Sequence, residues 1–242
     1  MDNIKKLARL LTENKDTLVL TGAGVSTESG IPDFRSPDTG LWSQMDPMEL
    51  LSRSALSRNP AEFWRRSEPI FRMMATAQPN SGHYALAQLE KKGFIKGIIT
   101  QNIDSLHQQA GSNSVLEVHG HLRTARCSQC GAERQMSPLL DQVASGDNPP
   151  RCNCGGIFRP NVVLFGDPLP EAFHLASQRA RVCDLFLVIG SSLEVAPVCW
   201  LAPAASKLAI INLGETQCDE IASVLVRGTA GEVLTDLVEV IG

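Results

Sequence analysis

Three groups of residues carry chemistry by type and spacing. The first begins where a short apolar run, Thr17–Leu20, closes on Gly22 and Gly24 and continues through the hydroxyl residues Ser26, Thr27 and Ser29. A buried strand that turns onto a helix N-terminus has this pattern, and free backbone N–H groups there attract phosphate; a tight turn without a ligand has it too. The third glycine of the usual dinucleotide fingerprint is missing, because Thr27 stands in its place. Behind the loop, Pro32-Asp33-Phe34-Arg35 brings an acid, an aromatic ring and a cation together. Arg35 is either a surface cation or a bidentate partner for phosphates. The pattern points to a bound dinucleotide whose chemistry is not hydride transfer.

The second group is Gln101-Asn102-Ile103-Asp104, two amides and a carboxylate directly after the apolar run Phe94–Thr100, with His119-Gly120 after the run Val115–Val118. Asn102 and Asp104 either cap a polar turn or hold a ribose or nicotinamide edge. Histidine titrates near neutrality and suits general acid-base work, so His119 is either a base or a structural ring. His107 reads as a helix-surface residue, and His83, His121 and His174 read as exposed or helix-start residues. The third group is Cys127-x-x-Cys130 and Cys152-x-Cys154, four thiols within 28 residues. Two cysteine pairs at this spacing supply the four thiolates of a tetrahedral Zn²⁺ site. With every position filled by protein, such a metal is structural, and Gly155 and Gly156 allow the sharp turn that the short second pair needs.

The elements that must position these groups follow from periodicity. Ile4, Leu7, Ala8 and Leu11 predict an opening amphipathic helix, and Leu41 to about Met74 reads as an irregular helical insert, with Trp42, Met45, Phe63, Trp64 and Phe71. Pro79-Asn80-Ser81 starts a helix that Gly93 ends. Asn161–Phe165 reads as a strand, Pro168-Leu169-Pro170 introduces a helix, and Leu185–Ile189 and Leu208–Ile211 are strongly apolar strands. Thr229 and Glu232 match a capping box for a last helix that buries Val233, Leu234, Leu237 and Val238. Four apolar strands end in Thr-Gly-Ala-Gly, Thr-Gln-Asn-Ile-Asp, Gly-Ser-Ser and Asn-Leu-Gly. Apolar strands separated by helices imply a parallel sheet covered on both faces, so these endings gather along one edge, where ligands bind.

Composition narrows the function classes. The chain has 242 residues, 43% of them apolar, room for one α/β domain with a small insert. No run is long enough to span a bilayer, and the N-terminus lacks a signal-peptide core, so a cytoplasmic protein without membrane contact is expected. Net charge is −4 with dispersed basic residues, which gives no nucleic-acid surface. The seven cysteines are an odd count that argues against a disulfide framework.

Residues 21–36 (Thr-Gly-Ala-Gly-Val-Ser-Thr-Glu-Ser-Gly-Ile-Pro-Asp-Phe-Arg-Ser), Thr-Gln-Asn-Ile-Asp-Ser-Leu-His (100–107), Glu-Val-His-Gly (117–120), Arg-Pro-Asn-Val-Val-Leu-Phe-Gly-Asp (159–167), Gly-Ser-Ser-Leu (190–193) and Ile-Asn-Leu-Gly (211–214) together resemble the sirtuins, NAD-dependent protein deacylases. The resemblance covers essentially the whole chain in the family's order and is similar to a bacterial or archaeal catalytic core. It implies an α/β fold with a Rossmann-like parallel-sheet domain (1–36, 79–122 and 160–242). A smaller discontinuous domain would combine the helical insert (37–78) with a zinc module (123–159). It implies NAD as co-substrate, with Ala23, Phe34, Arg35, Gln101, Ser191, Ser192 and Asn212 lining its site, joined by Gly22, Gly24, Thr27, Asp33, Gly190, Leu213 and Thr229. Asn102, Ile103 and Asp104 would surround the nicotinamide pocket.

In the reaction implied, the acyl oxygen attacks the ribose carbon as nicotinamide leaves, and His119 then acts as base on a ribose hydroxyl, with Asn102 and Asp104 in the catalytic set. The products would be free lysine, nicotinamide and acyl-ADP-ribose. An acyl-lysine peptide would pair as a strand between Val163-Leu164-Phe165-Gly166 and Leu193-Glu194-Val195. Members preferring succinyl or malonyl groups carry a tyrosine and an arginine three apart in the insert, where Ser67 and Ile70 stand here, so deacetylation is expected. Protein mono-ADP-ribosyl transfer, longer-chain deacylation and a non-catalytic NAD-sensing or zinc-dependent module are the alternatives; a monomer is expected.

Overall fold

The computed structural model describes residues 2–33 and 47–242. Phe34, Arg35, Trp42 and Met45 lie outside the described residues. In chain order the elements are α1 (Asp2–Glu13), β1 (Thr17–Thr21), α2 (Pro47–Leu50), α3 (Arg53–Arg58), α4 (Pro60–Thr76), α5 (Ser81–Lys91), β2 (Gly97–Thr100), α6 (Leu106–Gln109) and β3 (Val115–Glu117). They continue with β4 (Gly120–Cys127), β5 (Glu133–Gln135), α7 (Met136–Ala144), β6 (Phe158–Val162), α8 (Glu171–Ala180), β7 (Leu185–Ile189), β8 (Leu208–Ile211), β9 (Val224–Val226) and α9 (Ala230–Ile241).

β1, β7 and β8 are buried along their whole length, as strands covered on both faces must be. They belong to a six-stranded sheet of order β3-β2-β1-β7-β8-β9, parallel throughout. One face packs on Leu7, Leu11, Leu86, Leu89, Leu234 and Leu237 of α1, α5 and α9. The other packs on Ala176 and Ala180 of α8 and on Val198 and Leu201. The strand order reverses between β1 and β7, the switch point at which open parallel sheets bind ligands. The four polar strand endings therefore do share one edge.

A second, antiparallel sheet of order β5-β4-β6 packs with α4 and α7 around Leu50, Phe63, Trp64, Phe71, Leu139 and Phe158. Phe63, Trp64 and Phe71 meet edge-on with centroids 6.1–6.3 Å apart, and the Trp64 indole N–H donates to the Phe158 carbonyl at 3.0 Å. This core joins the helical segment to the cysteine region. Two expectations are corrected here. The strand expected at Asn161–Phe165 runs instead from Phe158 to Val162 in the antiparallel sheet, where it pairs with β4. The strand expected at Phe94–Thr100 begins only at Gly97, because the chain turns after α5 through Lys92–Phe94, although the Lys96 N–H already donates to Thr17 O at 2.8 Å.

A close backbone approach lies at the switch point. The Gly22 N–H donates to Ile189 O at 3.1 Å and the Gly24 N–H to Gly190 O at 2.9 Å. A Cβ on Gly22 would stand 2.7 Å from Gly190 O, one on Gly24 2.8 Å from Gly190 Cα, and one on Gly190 2.5 Å from the Val25 nitrogen. Gly190 also has φ +62°, a left-handed conformation that costs a side chain about 1–2 kcal/mol. Gly190→Ala is thus expected to lower unfolding free energy by roughly 3 kcal/mol in urea, strain and overlap combined. Gly214→Ala, with open space around it, should stay within about 0.5 kcal/mol. Equal effects at the two positions would show that the two loops separate freely.

Candidate active site

The Gly22–Ser26 turn departs from a helix N-terminus: a single 3₁₀ turn, Ala23–Val25, follows β1. Its N–H groups are largely committed inside the protein, those of Gly22 and Gly24 to the β7 end, Val25 to Gly22 O and Ser26 to Ala23 O. The turn thus brings few free donors of its own, and its glycines answer first to the close approach of the β7 loop. Thr27, in the place of the third glycine, is exposed and its hydroxyl donates to Gly24 O at 3.0 Å.

The stretch after β2 connects the other groups. The Asn102 side-chain amide donates to Gly22 O and to Ser26 Oγ, both at 3.1 Å. Ser26 Oγ donates in turn to Asp104 Oδ2 at 2.7 Å, while Asp104 Oδ1 accepts the Leu106 N–H at 2.9 Å. Burial raises the Asp104 carboxyl above the usual carboxylate range, against the pull of the Leu106 N–H and the Ser26 hydroxyl. The Gln101 amide donates to Ser191 Oγ at 3.0 Å, reaching across to the β7 ending. His119 Nδ1 lies 3.0 Å from the Gln101 carbonyl, an acceptor only, so Nδ1 carries the proton and Nε2 is the basic nitrogen. Burial lowers the His119 pKa, and the Gln101 carbonyl partly offsets this. A neutral ring with one nitrogen anchored can accept a proton at the other.

Gly120, at φ +75°, is required beside it, because a Cβ would fall 2.2 Å from Asn161 O. The His119 carbonyl accepts the Val163 N–H at 2.8 Å, which ties Val163–Gly166 to the histidine. Phe165 pairs on one edge with Leu51 and Arg53, through bonds of 2.9 and 3.0 Å, and Asp167 holds Leu164 through its N–H and carbonyl. Leu193 adopts φ +59° at the β7 ending, and the neighbouring Ser192 hydroxyl donates to Glu194 at 3.3 Å. Ile103 is half-buried, its carbonyl held by the Leu122 N–H at 2.9 Å. Direct hydrogen bonds thus join Asn102 to Gly22 and Gln101 to both His119 and Ser191, while Asp104 is joined through Ser26 and Gly190 through Gly24. Asn212, Leu213 and Thr229 stand farther along the edge: Asn212 bonds Gly214 O at 2.9 Å, Leu213 is exposed, and Thr229 caps α9 and contacts Glu28 at 3.3 Å.

Sequence reasoning missed the support beneath this site. His107 and His83 are buried, contrary to the surface and exposed or helix-start placement expected, although His83 does sit in the first turn of α5 and completes its capping box. The His107 Nε2 lies 2.9 Å from Thr21 Oγ1, which donates to Thr100 Oγ1 at 2.9 Å, and that hydroxyl accepts the Asn102 N–H at 3.1 Å. The two imidazole rings lie 4.9 Å apart, tilted by 57° to each other. A surface helix is the default for a polar residue three past a loop; only the packing of α5 on α6 buries the ring. Ser105, at φ +65°, receives a hydrogen bond of 2.5 Å from Arg123, which also clasps Glu117 at 2.6 and 2.7 Å.

The four cysteines converge: all four sulfurs lie within 4.8 Å of one another, with Cys127–Cys154 at 3.5 Å and Cys130–Cys152 at 3.7 Å. A tetrahedron of about 2.3 Å Zn–S bonds has edges of about 3.8 Å, so the donor set fits Zn²⁺. Backbone N–H groups of Cys130 and Gln129 draw the Cys127 thiol down, while at Cys130, despite the pull of the Ala132 N–H, the neighbouring thiols push the pKa up, as expected of four sulfurs crowded together. Gly155 turns at φ +88°, and a Cβ on Gly156 would strike Cys127 Sγ at 2.6 Å.

Two outcomes follow. Metal analysis of freshly purified protein should find about one zinc per chain, and chelation should lower the melting temperature; metal-free fresh protein would overturn the assignment. Burial lowers His83 to about 4 and His107 to about 3, against 6.5 for a free ring. The unfolded chain therefore binds these protons first, so their contribution is complete above pH 6.5 and is lost as pH falls toward 4. Urea titrations should show that loss, reduced in His107→Gln; a flat profile from pH 7 to 4.5 would contradict it.

Comparison with known proteins agrees with this geometry. The Sir2 family model matches residues 22–197. The NAD-dependent protein deacetylase 2 of Caldanaerobacter subterraneus subsp. tengcongensis is 52% identical over 234 residues, covering 96% of this chain and 94% of that protein. The NAD-dependent protein deacylase 2 of Archaeoglobus fulgidus is 44% identical over 244 residues, covering 98% and 96%. A Sir2 structure with a p53 peptide and NAD⁺ superposes with a TM-score of 0.88 at 38% identity, covering 98% of this chain and 97% of that one. The chain belongs to the Sir2 family, the sirtuins.

Proposed function

We propose that this chain is an NAD-dependent protein lysine deacetylase, which transfers the acyl group of an acyl-lysine to ADP-ribose and releases nicotinamide. The observation that carries the reading is the Gln101–Asp104 stretch, which binds the glycine turn through Asn102 at 3.1 Å and the base His119 through the Gln101 carbonyl at 3.0 Å. One rigid segment thus spans the place where a dinucleotide enters and the place where a proton is taken.

In this reading NAD lies along the strand endings, from Thr229, Asn212 and Leu213 past Gly190, Ser191 and Ser192 to Gly22, Ala23, Gly24 and Thr27. Asp33 belongs to the same NAD set, as do Phe34 and Arg35, which lie outside the described residues. Asn102, Ile103 and Asp104 enclose the nicotinamide and ribose, with Asp104 held by Ser26 and the Leu106 N–H. The Nε2 of His119 takes the proton of a ribose hydroxyl. The peptide runs between Val163–Gly166 and Leu193–Val195. Ser67 and Ile70, buried in the insert core, offer no cation for an anionic acyl group, which favours acetyl or longer apolar chains. The cysteine-bound Zn²⁺ is structural. A net charge of −4 supports protein rather than nucleic-acid partners, and seven unpaired cysteines suit a reducing cytoplasm; the enzyme works as a monomer.

Incubation with NAD and an acetyl-lysine peptide should release nicotinamide and deacetylated peptide in equal amounts. A peptide that stays acetylated while ADP-ribose accumulates on protein would establish the transferase alternative. His119→Asn should reduce turnover by at least about 100-fold while the melting temperature shifts by only a few degrees. Because the lowered pKa leaves His119 neutral at pH 7, kcat/KM should fall with acidity through a midpoint below 6.5; a midpoint above 7 would exclude this base.

A further inference from the structure

Beside Phe165 and Gly166 lies a hollow of about 470 Å³ whose opposite wall is Arg53, Ser54, Ser57 and Arg58 of α3. These four residues share one helix face, since 53 and 57, 54 and 57, and 54 and 58 are three or four apart. All four are exposed. Among the described residues neither guanidinium has an ion-pair partner, so both can serve an incoming anion. The wall is fastened to the segment it faces: the Arg53 N–H donates to the Phe165 carbonyl at 3.0 Å, and the Phe165 N–H to Leu51 O at 2.9 Å.

We infer that this hollow is a subsite for an anionic side chain of the acylated peptide, a glutamate, an aspartate or a phosphoserine close to the acyl-lysine. The inference rests on the peptide path proposed above, because Phe165 and Gly166, which that path follows, also line the hollow. Guanidinium groups present several N–H donors to a carboxylate or phosphate, and the serine hydroxyls add donors between them. The partly exposed Phe165 ring offers an apolar wall for the stem of a glutamate. Specificity of this kind is electrostatic and adds to sequence-tolerant backbone pairing rather than replacing it.

The test is kcat/KM at saturating NAD on acetyl-lysine peptides identical except at one position, scanned from three residues before the acyl-lysine to three after. That position carries glutamate, phosphoserine, glutamine or lysine in turn. At one or two positions glutamate should exceed lysine by roughly three- to ten-fold, the range that two exposed ion pairs supply. Phosphoserine should gain more, and about 0.5 M salt should compress the ratio. In the Arg53→Gln, Arg58→Gln double variant the glutamate-to-lysine ratio should fall to about one. Measured within one preparation, the ratio does not depend on the fraction folded. Equal rates for glutamate and lysine peptides at every position, or a preference that survives the double variant, overturn the subsite and leave deacylation standing. Failure to deacylate any peptide in the panel overturns the deacylase reading, and the subsite with it.

Discussion

The structure depends on two strand endings that touch through their backbones. Where the strand order reverses between β1 and β7, the Gly22–Gly24 turn lies against Gly190 so closely that a methyl group on any of these glycines would overlap main-chain atoms. Backbone hydrogen bonds from Gly22 and Gly24 extend the β1–β7 ladder past the end of the sheet. The crevice that opens beyond is therefore bounded by main chain held at fixed spacing. A side chain at this seam would separate the two halves of the sheet edge, and the groups that each half carries would lose their register.

From that seam the polar groups propagate inward. Asn102 reads the position of Gly22 through its amide, and its own backbone rests on the Thr100 hydroxyl, which Thr21 and His107 support from below. Buried polar groups are costly unless satisfied; the Thr21 and Thr100 hydroxyls and the Asn102 amide are satisfied here, while His107 Nδ1 and His83 Nε2 at the foot of the chain have no partner. The same segment offers its Gln101 carbonyl to His119 and so selects the tautomer of the ring. His119 and the Gly22 turn are coupled by the single loop that leads from β2 into α6.

The second core answers a different requirement. Its three-stranded sheet, with β4 of eight residues flanked by shorter strands, closes on α4 and α7 through Trp64, Phe71, Leu139 and Phe158. The cysteine cluster at one end of β4 holds turns that have few apolar contacts of their own. A metal bound there ties the loops after β4 and before β6 together, and through β6 it reaches Val162 and the segment beside His119. The bonds from the Val163 N–H to the His119 carbonyl and from the Leu122 N–H to the Ile103 carbonyl tie this second core to the site.

The sequence by itself determined the strands that are apolar along their whole length, the parallel sheet they form, the gathering of their polar endings and the cysteine set. Each of these follows from local composition or short spacing, which survives without knowledge of neighbours. Periodicity could also have located α7, where Met136, Leu139, Leu140 and Val143 recur at helical spacing. Tertiary structure alone decided the rest. His83 and His107 look like surface residues until α5 and α6 pack, and the strand near Asn161 cannot be placed until β4 offers a partner. Gly22 and Gly24 read as a phosphate turn, yet their necessity comes from Gly190, more than 160 residues away along the chain. Burial, pairing and close approach are properties of two segments at once, and a single stretch of sequence records only one of them.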